Sequence, residues 1–377
     1  MRIGIEAQRI FRRKKHGMDV VALEMIKKLQ VLDKKNDYFI FIKPDEDYEC
    51  LKETDNFKII KLHGKSYPYW EQVCLPKAAS KENLDILHCT SNTAPIYSKI
   101  PLVLTLHDII YLEHKSLIQK KGTLYQKLGN VYRKFVVPRI TDKCKKIITV
   151  SDFERTRIVA HLGLDKNKVI TVYNGISEHF KPITDAQLLS SIARKYKLPE
   201  DYMFFLGNTD PKKNVLGTLK GYANYLRQND RKMPMVMLDY KKEALEKTLA
   251  EICEPQLTDN IILPGYVQNA DLPAIYSLSK LFLYPSIRES FGIPPLEAMA
   301  CGTPVLASNT SSIPEVTGNA AYLTDPFKSE EIAKGIEELI NNKNLRKDLI
   351  DKGFIRASKF SWTSTAESVL KIYETIN

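Results

Sequence analysis

Short β-rich apolar runs alternate with helical patterns along almost the whole chain, and this alternation constrains the fold more than any other feature. Arg2–Ile5, Tyr38–Ile42, Lys58–Leu62, Ile86–His88, Leu102–Leu106 and Lys146–Val150 form a first series. After residue 180 a second begins: Met203–Leu206, Met235–Leu238, Asn260–Leu263, Leu281–Tyr284 and Pro304–Ala307. Strands separated by helices signal parallel sheets with helices on both faces. At 377 residues the chain also exceeds what one core organises. The expected class is α/β, with two Rossmann-like doubly wound domains facing each other across a cleft. Residues 1–177 form the first and 178–360 the second, and 361–377 form a C-terminal helix returning to the first. The join falls at Val172-Tyr-Asn-Gly-Ile176, a strand entering an Asn-Gly turn. No internal repeat or low-complexity tract interrupts this plan.

No segment reaches the roughly 18 uncharged apolar residues of a membrane helix. The N-terminus enters a strand pattern at once and carries no apolar run of a secretory signal, so a cytoplasmic address is expected. The six cysteines are scattered singly, without C-x-x-C or clustered histidines, and are expected to be reduced and buried. No metal site and no cofactor are expected.

Net charge is +11, and the surplus is local. Residues 1–175 hold 32 Lys and Arg against 20 Asp and Glu, whereas the remainder holds 24 against 25. Within residues 114–146, Lys115, Lys120, Lys121, Lys127, Arg133, Lys134, Arg139, Lys143, Lys145 and Lys146 face the single acid Asp142. Leu117, Leu124, Leu128, Val131, Tyr132 and Phe135 recur among them at helical spacing. Two readings stand: a core-packed helix with a solvated basic side, or peripheral attachment to an anionic membrane on its inner face.

The first strand lacks the G-x-G-x-x-G of a dinucleotide site. Gly17 before the helical run Val20–Leu29 is either an ordinary turn or a place where helix N–H groups meet a phosphate. The second domain opens with Phe204-Phe-Leu-Gly207-Asn208-Thr-Asp-Pro-Lys212-Lys213-Asn214 ahead of a helix. That places two compact cations beside helix donors, an arrangement suited to a diphosphate. Tyr284-Pro-Ser-Ile-Arg-Glu289-Ser-Phe291-Gly292-Ile293-Pro-Pro-Leu-Glu297 then reads as strand, loop and helix. Gly292 permits close backbone approach, and Pro294 and Pro295 suit a helix's first turn. Two carboxylates, Glu289 in the loop and Glu297 in the helix, can accept hydrogen bonds from hydroxyl groups.

This segment resembles the E-x7-E region of the retaining glycosyltransferases of family 4, which have the two-Rossmann GT-B fold. Thr149-Val-Ser-Asp-Phe-Glu-Arg155, Val169–Ile176, Leu206–Asn214, Pro264-Gly-Tyr-Val267 and Ser308–Gly318 agree with it, so the likeness covers nearly the whole chain. The resemblance implies that Glu297 holds the nucleotide ribose and Glu289 contacts hydroxyls of the transferred sugar. It places the amides of Phe291, Gly292 and Ile293 along sugar and diphosphate, matches Lys213 to the diphosphate lysine, and puts base recognition near Val267. Many members carry an arginine where this chain has Asn208, so one phosphate cation is either absent or supplied by Lys212. His107, at the carboxyl edge of its strand, matches a histidine that faces the donor sugar, and Asp108 either orients it or contacts the acceptor.

The activity implied is retaining transfer of a hexose, mannose or glucose, from a nucleotide-diphosphate sugar. The acceptor expected is lipid-linked or polysaccharide, in cell-surface glycan synthesis, with no metal. Two alternatives differ in class. A sugar-nucleotide epimerase on a similar fold needs an acid/base set for proton abstraction, and would isomerise a nucleotide sugar without acceptor. A nucleic-acid or polyanion-binding protein leaves Glu289 and Glu297 without a role, and the basic residues lack interleaved aromatics at a recognisable module spacing. No nucleic-acid partner is expected.

Overall fold

The computed structural model describes residues 1–113, 124–229 and 232–376. They divide into two compact units: Met1–Gly175 with Ser361–Asn377, and Ile176–Phe360. In the first unit, β1 (Arg2–Glu6), β2 (Asp37–Ile42), β3 (Phe57–Lys61), β4 (Ile86–Cys89), β5 (Leu102–Thr105), β6 (Lys146–Thr149) and β7 (Val169–Thr171) form one sheet. All its pairings are parallel, in the order β3-β2-β1-β4-β5-β6-β7. A parallel sheet is covered on both faces, so its strands read as continuous apolar runs. Tyr38, Phe39, Ile40, Phe41 and Ile42 of β2 are accordingly all buried. The order reverses between β1 and β4. In such sheets the crevice at the carboxyl ends of the reversing strands is where ligands bind.

The second unit repeats the plan. β8 (Met203–Leu206), β9 (Met235–Leu238), β10 (Ile261–Ile262), β11 (Leu281–Tyr284), β12 (Val305–Ser308) and β13 (Tyr322–Thr324) lie parallel in the order β10-β9-β8-β11-β12-β13. Here the reversal falls between β8 and β11. Helices Val215–Gln228 and Ser329–Asn341 cover one face, with Leu219, Tyr222, Ile332, Ile336 and Leu339 buried against Met203, Phe205 and Leu283.

The first unit is closed by residues remote in sequence. Helix Trp362–Glu374 sends Ala366, Val369, Ile372 and Tyr373 into the core formed by β1, β2 and helix Gly17–Leu32. The Tyr373 hydroxyl lies 2.6 Å from His88 Nδ1, and His88 Nε2 lies 2.7 Å from Thr105 Oγ1. Burial, with a further contribution from nearby His107, lowers the His88 pKa to about 3, so its ring stays neutral.

Two expectations are corrected. The Asn-Gly pair expected to turn at the join does not: residues 172–175 carry no turn, and Gly175 is not among the glycines with positive φ. Glycine is needed there for space: a Cβ would stand 2.2 Å from the Trp362 nitrogen and 2.4 Å from the Ser361 carbonyl carbon. Chain leaving the unit thus lies against chain returning to it. Cysteine burial is also uneven. All six are free, and Cys89, Cys144 and Cys301 are buried, but Cys253 is exposed in a left-handed turn (φ 60°) beyond helix Lys242–Glu251.

Gly175→Ala should therefore destabilise the protein by about 1–3 kcal/mol, the usual range for overpacking. Gly17→Ala should be neutral to folding, since a Cβ at Gly17 meets nothing within 4 Å. Denaturant midpoints of the two variants check both expectations.

Candidate functional site

At the reversal in the second unit, the loop after β8 is fastened to the loop after β11. Asp210 caps the short turn Pro211–Lys213, its carboxylate accepting from the Lys212 amide at 3.1 Å. Asn214 follows in the left-handed region (φ 56°), and its side-chain amide donates to the carbonyls of Pro285 (2.9 Å) and Pro326 (2.7 Å). The Ile287 amide donates to the Lys212 carbonyl at 2.7 Å. These bonds hold Lys213 over the end of β11. Its ammonium donates to Glu289 Oε1 at 2.6 Å and to the Tyr284 hydroxyl at 3.0 Å, and lies 4.9 Å from the Tyr284 ring centroid.

Glu289 is 8% exposed. Burial alone would raise its carboxyl, but the charges of Lys213 and Lys212, together with hydrogen bonding to the carboxylate, outweigh it and hold the group below the ordinary carboxylate range. Its backbone is held too. The Glu289 amide donates to Ser311 Oγ at 3.1 Å, and Ser312 Oγ donates to the carbonyls of Glu289 (3.0 Å) and Phe291 (2.9 Å). Phe291 itself is a packing residue, buried edge-on against Phe360 with ring centroids 5.8 Å apart, so only its main chain is available to a ligand. Gly292 has φ 96° and precedes helix Ile293–Ala300, which begins with Pro294 and Pro295 in its first turn. A Cβ at Gly292 would stand 2.6 Å from Ile313 Cδ1, so glycine is required on both counts.

Glu297 has a different setting. It is half-buried in helix Ile293–Ala300 and accepts one long bond, 3.3 Å, from the Tyr276 hydroxyl. Burial pushes its carboxyl up to about 7, against the weak opposing effect of that bond. Asn208 Oδ1 accepts from the Asp210 amide at 2.8 Å and so supports the turn, while Lys212 Nζ lies 3.7 Å from Asp210. Val267 lies in the loop after β10, beside left-handed Gly265 (φ 79°) and Tyr266, which is 80% exposed.

His107, Asp108 and Gly17 belong to the first unit. The His107 amide donates to Asn92 Oδ1 at 2.6 Å, and its Nε2 lies 3.1 Å from the Thr90 carbonyl. A carbonyl only accepts, so Nε2 carries the proton and Nδ1 of the neutral ring is an acceptor. Burial lowers the His107 pKa, opposed by the Thr90 carbonyl and by the charges of Asp108 and Asp19, and the ring stays neutral. The Thr90 carbonyl thus holds the ring, and the Asp108 charge acts on it electrostatically. Asp108 Oδ1 accepts from the Ile110 amide at 3.2 Å. Gly17 is exposed and heads its helix, whose buried Asp19 accepts from the His16 amide at 2.9 Å.

Two groups escaped sequence reasoning. Tyr284 was visible only as the end of an apolar strand, although a hydroxyl at a buried strand terminus is itself a signal of a polar contact. Glu6 and Glu71 are fully buried at the carboxyl edge of the first sheet, and burial raises both carboxyls. Glu71 accepts from Tyr67, Thr93, Gln72 and Tyr132. Among the described residues, no three His, Cys, Asp or Glu side chains group as a metal-ligand set.

Tyr132 lies on helix Leu124–Thr141, whose apolar residues divide. Val136, Val137 and Ile140 are buried, Tyr132 is half-buried, and Leu128 (61%), Val131 (64%) and Phe135 (53%) are exposed. A wholly core-packed stripe is thereby corrected: residues 128, 131 and 135 share the outward face with exposed Lys127, Lys134 and Arg139. Lys115, Leu117, Lys120, Lys121 and the Leu124 side chain lie outside the described residues. No helix among the described residues is long and apolar enough to cross a membrane.

The family model described as Glycosyltransferase Family 4 matches residues 16–180, and that described as Glycosyl transferases group 1 matches residues 191–356. The O-antigen chain mannosyltransferase B of Escherichia coli is 31% identical over 235 residues, covering 62% of this chain and 61% of that one. The serotype-specific mannosyltransferase WbdA of the same organism is 29% identical over 271 residues, covering 70% of this chain and 32% of that protein. The chain thus spans between a third and three fifths of the length of these curated relatives. In fold it matches the Anabaena protein HepE in complex with UDP-glucose, at TM-score 0.77, 17% identity and 100% coverage of both chains. The chain belongs to glycosyltransferase family 4 and has the GT-B type of α/β fold.

The Lys213–Glu289 pair is asymmetric in what its loss does. Lys213→Met leaves a buried carboxylate uncompensated and should cost about 1–3 kcal/mol of stability. Lys213→Met with Glu289→Leu should recover part of that loss. Urea unfolding of the two variants measures the difference, and a double variant no more stable than Lys213→Met would show that the carboxylate left behind carries no penalty.

Proposed function

We propose that this chain is a retaining hexosyltransferase. It moves mannose or glucose from a nucleotide-diphosphate sugar to a lipid-linked or polysaccharide acceptor in cell-surface glycan synthesis. The observation that carries the reading is the buried Lys213–Glu289 pair at the carboxyl edge of β8 and β11, in a chain of this family. Relatives named as mannosyltransferases favour mannose.

The chemistry follows from charge. As the sugar's C1–O bond to the diphosphate breaks, negative charge builds on the leaving group, and Lys213, Lys212 and the amides at the start of helix Ile293–Ala300 supply the opposing charge. These groups do so without a metal. The acceptor oxygen bonds C1 on the face the diphosphate leaves, and its proton passes to the departing phosphate oxygen. Glu289 is held by Lys213 as a binding group for sugar hydroxyls, not as a nucleophile, and Glu297 takes the ribose. A trapped glycosyl group on Glu289 would overturn this route. His107 offers the transferred sugar a neutral acceptor nitrogen, Nδ1.

Thermal shift against GDP-, UDP- and ADP-sugars, followed by transfer assays, tests the reading. A ligand at a hundred times its Kd stabilises by about 2.7 kcal/mol, and no stabilisation by any of them would remove the donor site. The Glu297 carboxyl, pushed up to about 7, adds a pH signature. Only its ionised form accepts two hydroxyl hydrogen bonds, so donor binding lowers its pKa and releases a proton. Affinity for the nucleotide sugar should rise with pH through 7 and be about tenfold weaker one unit below it. Glu297→Gln should flatten that profile, which calorimetry at pH 6 and pH 8 resolves.

The outward face of helix Leu124–Thr141 fits the surface of an anionic membrane. Leu128, Val131 and Phe135 give it apolar contact, and Lys127, Lys134 and Arg139 give it charge. The protein should float with vesicles containing anionic lipid at low salt and be released as salt rises. Phe135→Ser with Val131→Ser should weaken flotation, and absence of binding at low salt would sink the assignment.

A further inference from the structure

We infer that Tyr284 is a positioning residue for the donor diphosphate, acting through Lys213. The inference rests on the donor reading above and extends it to a side chain outside the E-x7-E pair.

A lysine ammonium has three N–H donors and no acceptor. On Lys213 one goes to Glu289 Oε1 at 2.6 Å and a second to the Tyr284 hydroxyl at 3.0 Å. With two directions fixed, the third is fixed as well, and a single N–H remains for a phosphate oxygen. A lysine tied only to Glu289 would be held at one point, leaving its flexible stem to pivot and carry the remaining donors with it.

Tyr284 is suited to fix this direction because it does not move. It is 1% exposed, it is the last residue of β11 at the point where the strand order reverses, and its ring lies against Phe282 with centroids 5.8 Å apart. The ammonium also lies 4.9 Å from the ring centroid, so ring and hydroxyl together mark out its place. Burial and the charge of the neighbouring Glu289 carboxylate raise the phenol well above its ordinary value and keep it protonated. The hydroxyl accepts from Lys213 and stays neutral beside Glu289. Asp239, just past the carboxyl end of β9, is within electrostatic reach of Lys213, whose charge opposes but does not overcome the upward shift that burial gives the carboxyl. An anionic ligand thus competes for the ammonium with the Glu289 carboxylate, which makes the direction of its remaining N–H decisive.

Tyr284→Phe isolates the hydroxyl, since ring and strand packing are kept. Inhibition constants would be measured for GDP, UDP and ADP and for the corresponding nucleosides, with kcat and KM for the sugar donor and a melting curve to confirm folding. The expected result is a rise of about two- to tenfold in the inhibition constant of the diphosphate, with the nucleoside unaffected. kcat should fall more than KM changes, because the Lys213 contact strengthens as charge develops on the leaving group. In a Lys213→Met background, Tyr284→Phe should have no further effect on diphosphate binding.

Equal weakening of nucleoside and diphosphate would make Tyr284 a packing residue and overturn the inference. So would an unchanged diphosphate constant, or the same loss with and without Lys213. If the unaltered chain binds no nucleoside diphosphate, the donor reading falls and takes the inference with it. If it binds one and the variants behave otherwise than stated, the inference falls alone.

Discussion

The arrangement of the second unit's site depends on one interaction, the contact of the Lys213 ammonium with the buried Glu289 carboxylate. Each charge would be costly at that depth alone, and their 2.6 Å contact makes both tolerable. The surrounding backbone is committed to keeping them together. Asn214 ties the lysine's loop to Pro285 and Pro326, and Ser311 and Ser312 hold the glutamate's loop by its amide and carbonyl. A lysine assigned to phosphate and a glutamate assigned to sugar hydroxyls are therefore not independent groups. Without ligand they satisfy each other, and a donor must separate or share them.

Much of the fold was legible because parallel strands buried on both faces leave continuous apolar runs. Tyr38–Ile42 and Met203–Leu206 are such runs, and β2 and β8 fall on them to within a residue. β13 left little trace: it has three residues, and Tyr322 and Leu323 are only half-buried. The Asn-Gly pair at the join misled for a general reason. Asn-Gly usually marks positive φ, whereas Gly175 answers to a steric demand from Ser361 and Trp362, residues no local reading connects with it.

The site was legible in its residue types and not in its bonds. Lys213, Glu289, Gly292 and the paired prolines stood out by spacing, and the structure sets Lys213 against Glu289. Hidden from sequence were the partners supplied by strand ends: Tyr284 beside the lysine, and the Thr90 carbonyl that fixes the His107 tautomer. The two glutamates of the motif also proved unlike. One carboxyl is drawn down by cations and the other pushed up by burial, a distinction that spacing cannot carry. The helix at 124–141 shows the limit of periodicity, which marks an apolar stripe without saying which part of it faces protein.

The closure of the first unit by Ala366, Val369, Ile372 and Tyr373 sets the order in which the protein comes into being. During synthesis, β1 through β7 emerge first, yet the apolar surface over β1 and helix Gly17–Leu32 stays open until residues 362–373 arrive. All of the second unit is made in between, and its own segments are contiguous from Ile176 to Phe360. The later-made unit can thus complete its core while the earlier one waits. Nascent chains of intermediate length carry an uncovered apolar face, a natural place for a chaperone to hold them.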